Sequence, residues 1–215
     1  WMWEHLIDLY MKGVHHFAAL LLVTCMPLAL RAKQQTDAPS AFEQCRTVTA
    51  EDLADKNAPN FGSYSAAIPA TSRPDRLDLE SNPVARTYRT VLRTQAAQGP
   101  NFAGHYRVAA WGCGSSCTMF AVVDLDTGKV ITPRAFTHTS GVFFGDDIQQ
   151  VVPGSQSQFW MLAFRKNSTL LVVFGDLDEN EKREGAFYFV LDHGSLRLIH
   201  STRVKKDCQH LQRQP

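Results

Sequence analysis

The 215-residue chain carries 22 Lys and Arg against 21 Asp and Glu, a formal net charge of +1, and 44% of its residues are hydrophobic. That balance excludes a charge-driven nucleic-acid surface and an acidic tail, so no nucleic-acid partner is expected. Its apolar content suffices for a core of ordinary size and selects no activity.

Residues 1–32 read as a targeting segment. Met11-Lys12 opens a short basic start, and Phe17 to Leu30 is an almost unbroken apolar run. Fourteen residues fall short of the roughly 20 needed to cross a bilayer core, so a secretory signal peptide cleaved after Ala32 is the reading preferred to an uncleaved anchor helix. Trp1–Tyr10, with Glu4 and Asp8, precedes the initiator expected at Met11. Leu22-Val23-Thr24-Cys25 approaches a lipoprotein signal, but Thr24 stands where a smaller residue is wanted. About 180 residues follow, one domain's worth, still at +1 because Glu4, Asp8, Lys12 and Arg31 cancel. The expected organisation is a lead-in at 33–48, one domain at 49–208 and a tail at 209–215, with Arg203, Lys205 and Lys206 as solvated charges. A periplasmic or secreted protein with no stable membrane span after processing follows.

Cys45, Cys113, Cys117 and Cys208 remain after processing. Four cysteines allow three pairings and sequence does not choose among them. Cys113–Cys117 with Cys45–Cys208 is favoured, a framework suited to an oxidising compartment.

Along the chain, Thr49-Ala50-Glu51-Asp52 suggests a short capped helix. Residues 57–83 have no sustained period and read as an irregular arm across a sheet. Asn82-Pro83 opens the one convincing helix, whose Val84, Tyr88, Val91, Leu92 and Ala96 recur at helical spacing until Gly99-Pro100. Strands and tight turns follow: 106–111, 119–124 with a hairpin turn at 124–129, 130–132, 159–164, 169–174, 186–191 and 196–200. The predicted fold is α+β, mainly an antiparallel β-meander of about seven strands with one packed helix. In Phe187-Tyr188-Phe189, period two puts Tyr188 on the opposite face, where an outward aromatic strip would serve binding.

Gly99 to Cys117 concentrates the unusual residues: Asn101, Gly104, His105, Trp111, Gly112, Gly114 and the close cysteine pair. In an extended strand Cys113 and Cys117 would lie about 13 Å apart, whereas a disulfide wants α-carbons within about 7 Å. Gly112, Gly114, Ser115 and Ser116 would let the chain fold back, so a disulfide-locked turn is expected. Zinc would need further ligands, with only His105 nearby, and a redox pair would more often be C-x-x-C at a helix start. Ser115, Ser116, His105 and Asp124 invite a hydrolase reading, but G-C-G-S-S-C is not the G-x-S-x-G elbow. His105 is read instead as the donor tying the Asn101–Gly104 turn to the sheet. Asp176, Asp178, Asn180 and Glu184 have the alternating oxygens of a calcium loop without its glycine, and Asp146-Asp147 is a weaker case. No cofactor is expected, and no catalytic residue is assigned outside the alternative.

The segments Asn101-Phe102-Ala103-Gly104-His105-Tyr106, Trp111-Gly112-Cys113-Gly114 with Cys117, and Asp124 to Val130 resemble a family of uncharacterised exported bacterial proteins with the pattern N-F-A-G-H-Y…W-G-C-G-x-x-C…D-x-x-T-G-x-V. The resemblance covers roughly 88–199 and implies export and fold, not an activity. The functional expectation is an exported, disulfide-stabilised binding or inhibitor-like protein of the bacterial envelope, its partner an envelope macromolecule or cell-wall component. The alternative is a small secreted hydrolase or thiol enzyme using His105 with Cys113, Cys117 or Ser115.

Overall fold

The chain is seen here in a computed structural model that describes residues 39–68, 76–206, 208 and 211, and eight antiparallel strands organise these described residues. The expected signal peptide and its cleavage point lie outside those residues. The strands are β1 Tyr106–Gly114, β2 Cys117–Asp124, β3 Val130–Ile131, β4 Thr139–Ser140, β5 Leu162–Phe164, β6 Leu170–Leu177, β7 Glu184–Asp192 and β8 Ser195–Arg203. They form one sheet in the order β1-β2-β4-β6-β7-β8, with β3 paired to β2 and β5 to β6. The α+β meander expected from the sequence is what the chain adopts.

Between β2 and β6 the sheet narrows to the two-residue β4, which pairs with both. Val108, Phe120 and Val122 from one half then pack with Leu171, Val173, Phe187 and Phe189 from the other in a shared core. The remaining faces are covered too. Val48, Leu53, Phe61 and Ile148 bury the far side of β5–β7, around Val172, Phe174 and Tyr188. Tyr188 is fully buried there, so the outward aromatic strip is corrected. Alternation placed the side chain on the opposite face, but that face is also interior.

The far side of β1–β2 is covered by a helix broken in two, α2 Pro83–Thr87 and α3 Arg89–Ala96, preceded by a separate α1 at Ala41–Arg46. Asn82 caps α2 by accepting from the Ala85 N–H, and its amide donates to the Val130 carbonyl across to β3. Tyr88 takes φ −102°, ψ 24°, which interrupts the helix while Ala85, Leu92 and Ala96 stay on the buried side. Residues 50–53 form turns rather than a helix, the Leu53 and Ala54 N–H groups donating to the Ala50 and Glu51 carbonyls three residues back, while the Asp52 carboxylate accepts from the Thr49 N–H and hydroxyl. Within the stretch read as lead-in, α1 carries Cys45 and Arg46 onto the domain. Lys206, expected to be solvated, reaches inward to Asp52 at 2.6 Å and to the Thr47 carbonyl at 2.7 Å.

Both favoured disulfides are present. Cys45–Cys208 joins α-carbons 5.9 Å apart across 163 residues, and Cys113–Cys117 joins α-carbons 5.1 Å apart. The short bond closes the β1–β2 hairpin, where the register slips between Gly112 and Gly114 and Ser116 takes φ 54°. No helix among the described residues is long and apolar enough to cross a membrane.

Candidate functional site

The motif segments separate to opposite ends of β1. At its start, Asn101 to Tyr106 makes a tight turn with Ala103 at φ 44° and Gly104 at φ 83°. The Ala103 and Gly104 N–H groups donate to the Ser168 and Lys166 carbonyls, docking the turn on the β5–β6 connection. The tie to the sheet edge comes from Asn101, not His105. The Asn101 carboxamide accepts from the Val108 N–H at 2.8 Å and donates to the Val108 carbonyl at 3.2 Å. Gln95 does the same to Ala110 from α3.

His105 is thereby free to face the hairpin that follows β2. Its carbonyl accepts from the Leu125 N–H, and its ring stacks 4.1 Å from Tyr106. Its Nε2 stands 3.6 Å from Asp124 Oδ1 and 3.5 Å from Asp126 Oδ2. Asp124 is fixed in turn, its Oδ1 accepting from the Asp126 and Thr127 N–H groups at 2.9 and 3.2 Å. The three side chains are 26%, 15% and 47% exposed, so the group is reachable from solvent. Burial, with the nearby charges of Asp124 and Asp126, pushes the Tyr106 hydroxyl above its ordinary range. Among the described residues this is the one set of three His, Cys, Asp or Glu side chains with ligand atoms all within 4.8 Å of one another. Thr127, in the same turn, also lines an open cavity of about 490 Å³ with Arg76, Asp78, Glu80 and Arg93.

The other corner lies at the far end of the strand. Cys113 is eight residues on from His105, about 26 Å at strand rise. Its sulfur is bonded to Cys117, and Ser115 and Ser116 share that tip. The structure therefore does not bring His105 together with Ser115, Cys113 or Cys117. Trp111 turns to the helix side, its ring 4.7 Å from that of Tyr88, while Gly112 and Gly114 are exposed.

The calcium alternative is dispersed. Asp178 accepts from the Thr137 N–H and hydroxyl and pairs with Arg183 at 3.2 Å. Asn180 accepts from the Lys182 N–H, and Asp147 from the Ala50 N–H. Asp176 and Glu184 face each other in the β6–β7 register and are buried beside Arg46, whose guanidinium lies 2.9 Å from Glu184 and 4.5 Å above the Phe143 ring. Burial, then the charge of Glu184, pushes the Asp176 carboxyl up to about 6, and burial raises Glu184 as well. With Asp178 and Asn180 committed to their own loop and Arg46 supplying the positive charge at Glu184, the four do not form one ligand set.

Asp126 and Arg46 escaped notice in the sequence. Asp126 reads as an ordinary hairpin-turn residue, and only the Asp124–Tyr106 register pairing brings it to His105. For Arg46 the one signal was its adjacency to a cysteine. Compared with known proteins, the chain matches no family model, no curated protein and no solved structure.

Proposed function

We propose that the chain is an exported, non-enzymatic binding protein of the bacterial envelope, which engages an envelope macromolecule or cell-wall component through the loops at the ends of its sheet. The observation that carries this is the pair of disulfides, one closing a hairpin and one clasping residues 163 apart. Such bonds persist where thiols are oxidised, which supports a periplasmic or secreted location. The apolar run at Phe17–Leu30 and the motif resemblance to exported proteins support the same location. Rigid, cross-linked β-domains suit recognition because little conformational freedom is lost when a partner binds.

The test has two parts. Intact mass of the exported protein, alkylated before and after reduction, is expected to show four cysteines in two disulfides and an N-terminus near Lys33. Sedimentation of the purified protein with isolated cell-wall sacculi, and its capture on immobilised envelope fractions, then reads binding. Free thiols in the exported form would overturn the reading. So would turnover of an ester, glycan or peptide substrate that is lost in His105→Ala at unchanged melting temperature.

A further inference from the structure

His105, Asp124 and Asp126 come from two segments, one on each side of the β1–β2 hairpin, yet their donor atoms converge at one exposed point. The Nε2 atom stands almost evenly between the two carboxylates, at 3.6 and 3.5 Å. Both separations exceed those of a charge-assisted hydrogen bond, about 2.7–2.9 Å, so the ring faces two acceptors and bonds neither. Those separations have a different natural meaning. Donors bound to one tetrahedral zinc at about 2.0–2.2 Å stand about 3.3–3.6 Å from one another, the edge of the coordination tetrahedron. One imidazole nitrogen and two carboxylate oxygens are also a donor set that zinc accepts, whereas calcium takes oxygen ligands alone.

From this geometry we propose that His105, Asp124 and Asp126 form a three-ligand site for a zinc-class divalent cation, with its fourth position open to solvent. The imidazole binds through neutral Nε2, and the two carboxylates balance the charge of the ion. The fold holds two ligands ready. The Asp126 and Thr127 N–H groups orient Asp124, and the docked turn at Ala103–Gly104 fixes the backbone entering His105. Asp126 is the most exposed of the three ligands, at 47%. The site is independent of the envelope-binding reading and stands or falls on its own.

The experiment is zinc titration of the oxidised, exported protein after chelator treatment, read by calorimetry and native mass spectrometry. Cobalt substitution provides a visible spectrum that reports tetrahedral geometry. The expected result is one zinc per chain and a melting temperature that rises with zinc. His105→Ala and Asp126→Ala should each weaken binding by at least the roughly 10- to 100-fold typical of losing an outer-shell partner. Asp124→Asn keeps the oxygen that caps the turn while lowering ligand charge, so it tests the third ligand without unfolding the hairpin. Intact disulfides and an unchanged far-ultraviolet spectrum certify that each variant is folded. No zinc bound at 100-fold excess over protein, one zinc bound equally well by folded His105→Ala, or stabilisation by calcium but not zinc would each overturn the proposal.

Discussion

Asp176 sits opposite Glu184 in the β6–β7 ladder, and both are buried beside the single guanidinium of Arg46. Arg46 bonds Glu184 directly, while Asp176 Oδ1 and Glu184 Oε1 have no hydrogen-bond partner. Removing two carboxylates from water around one cation leaves the second charge poorly compensated, so Asp176 holds its proton up to about pH 6. An unfolded Asp loses that proton near pH 4. Between those values the folded state binds more protons than the unfolded state, so stability falls as pH rises through the window and levels off above it. Asp176→Asn should therefore stabilise the protein by about 1–3 kcal/mol at pH 7.5 and change little at pH 4, as measured by urea unfolding at both values. A gain of equal size at both pH values would assign the effect to packing rather than charge. One residue back along β6, Gly175 takes φ 120°, and an added Cβ would run into the Ser140 carbonyl and the Thr139 hydroxyl. Gly175→Ala would thus disturb β4, the narrow join between the two halves of the sheet.

At the scale of elements, β1 shows how a motif can be structural without being catalytic. Its outward backbone groups would be a free sheet edge, a template for unwanted pairing. Tyr106 satisfies its own with Phe102 and Asn101, Val108 with the Asn101 side chain and Ala110 with the Gln95 side chain. Asn101→Ala should cost about 1–3 kcal/mol by leaving a strand N–H and carbonyl without partners. Combining it with Gln95→Ala should add concentration-dependent association, visible by sedimentation velocity. A monomeric double variant of nearly wild-type stability would mean that water serves the edge equally well. The same elements show what was legible beforehand. The hairpins and the Asn82-Pro83 start follow from turn residues and capping, which are local, whereas cysteine arithmetic offers three pairings and only favours the two disulfides found. The break at Tyr88 was not legible, because the apolar spacing continues through it. Nor was the two-residue β4, because pairs with β2 and β6 define it and it has no periodicity of its own. The grouping of His105 with Asp126 depends on the β1–β2 register, which the slip between Gly112 and Gly114 shifts beside the two-residue Ser115-Ser116 turn, and no residue pattern announces that slip.

For the whole molecule, the two disulfides constrain different things. In the chain-entropy account, a bond closing the Cys45–Cys208 loop contributes about 5 kcal/mol, and one closing the Cys113–Cys117 loop about 2 kcal/mol. The long bond does more than close a loop. Cys45 lies in α1 beside Arg46, so the clasp also keeps that guanidinium over Glu184 and Phe143. Cys45→Ser/Cys208→Ser should therefore lose about 5 kcal/mol or more in urea unfolding, against about 2 kcal/mol for Cys113→Ser/Cys117→Ser. Because losing the clasp frees Arg46 to leave a buried carboxylate, the long-bond variant should also fall off more steeply with rising pH across the Asp176 window. The hairpin variant should keep the wild-type pH profile, since its bond lies at the other end of that cross-strand row. If the loss in the long-bond variant were the same at every pH, the clasp would be acting on the unfolded chain alone. Arg46 would then hold its place through the packing of α1 against the sheet.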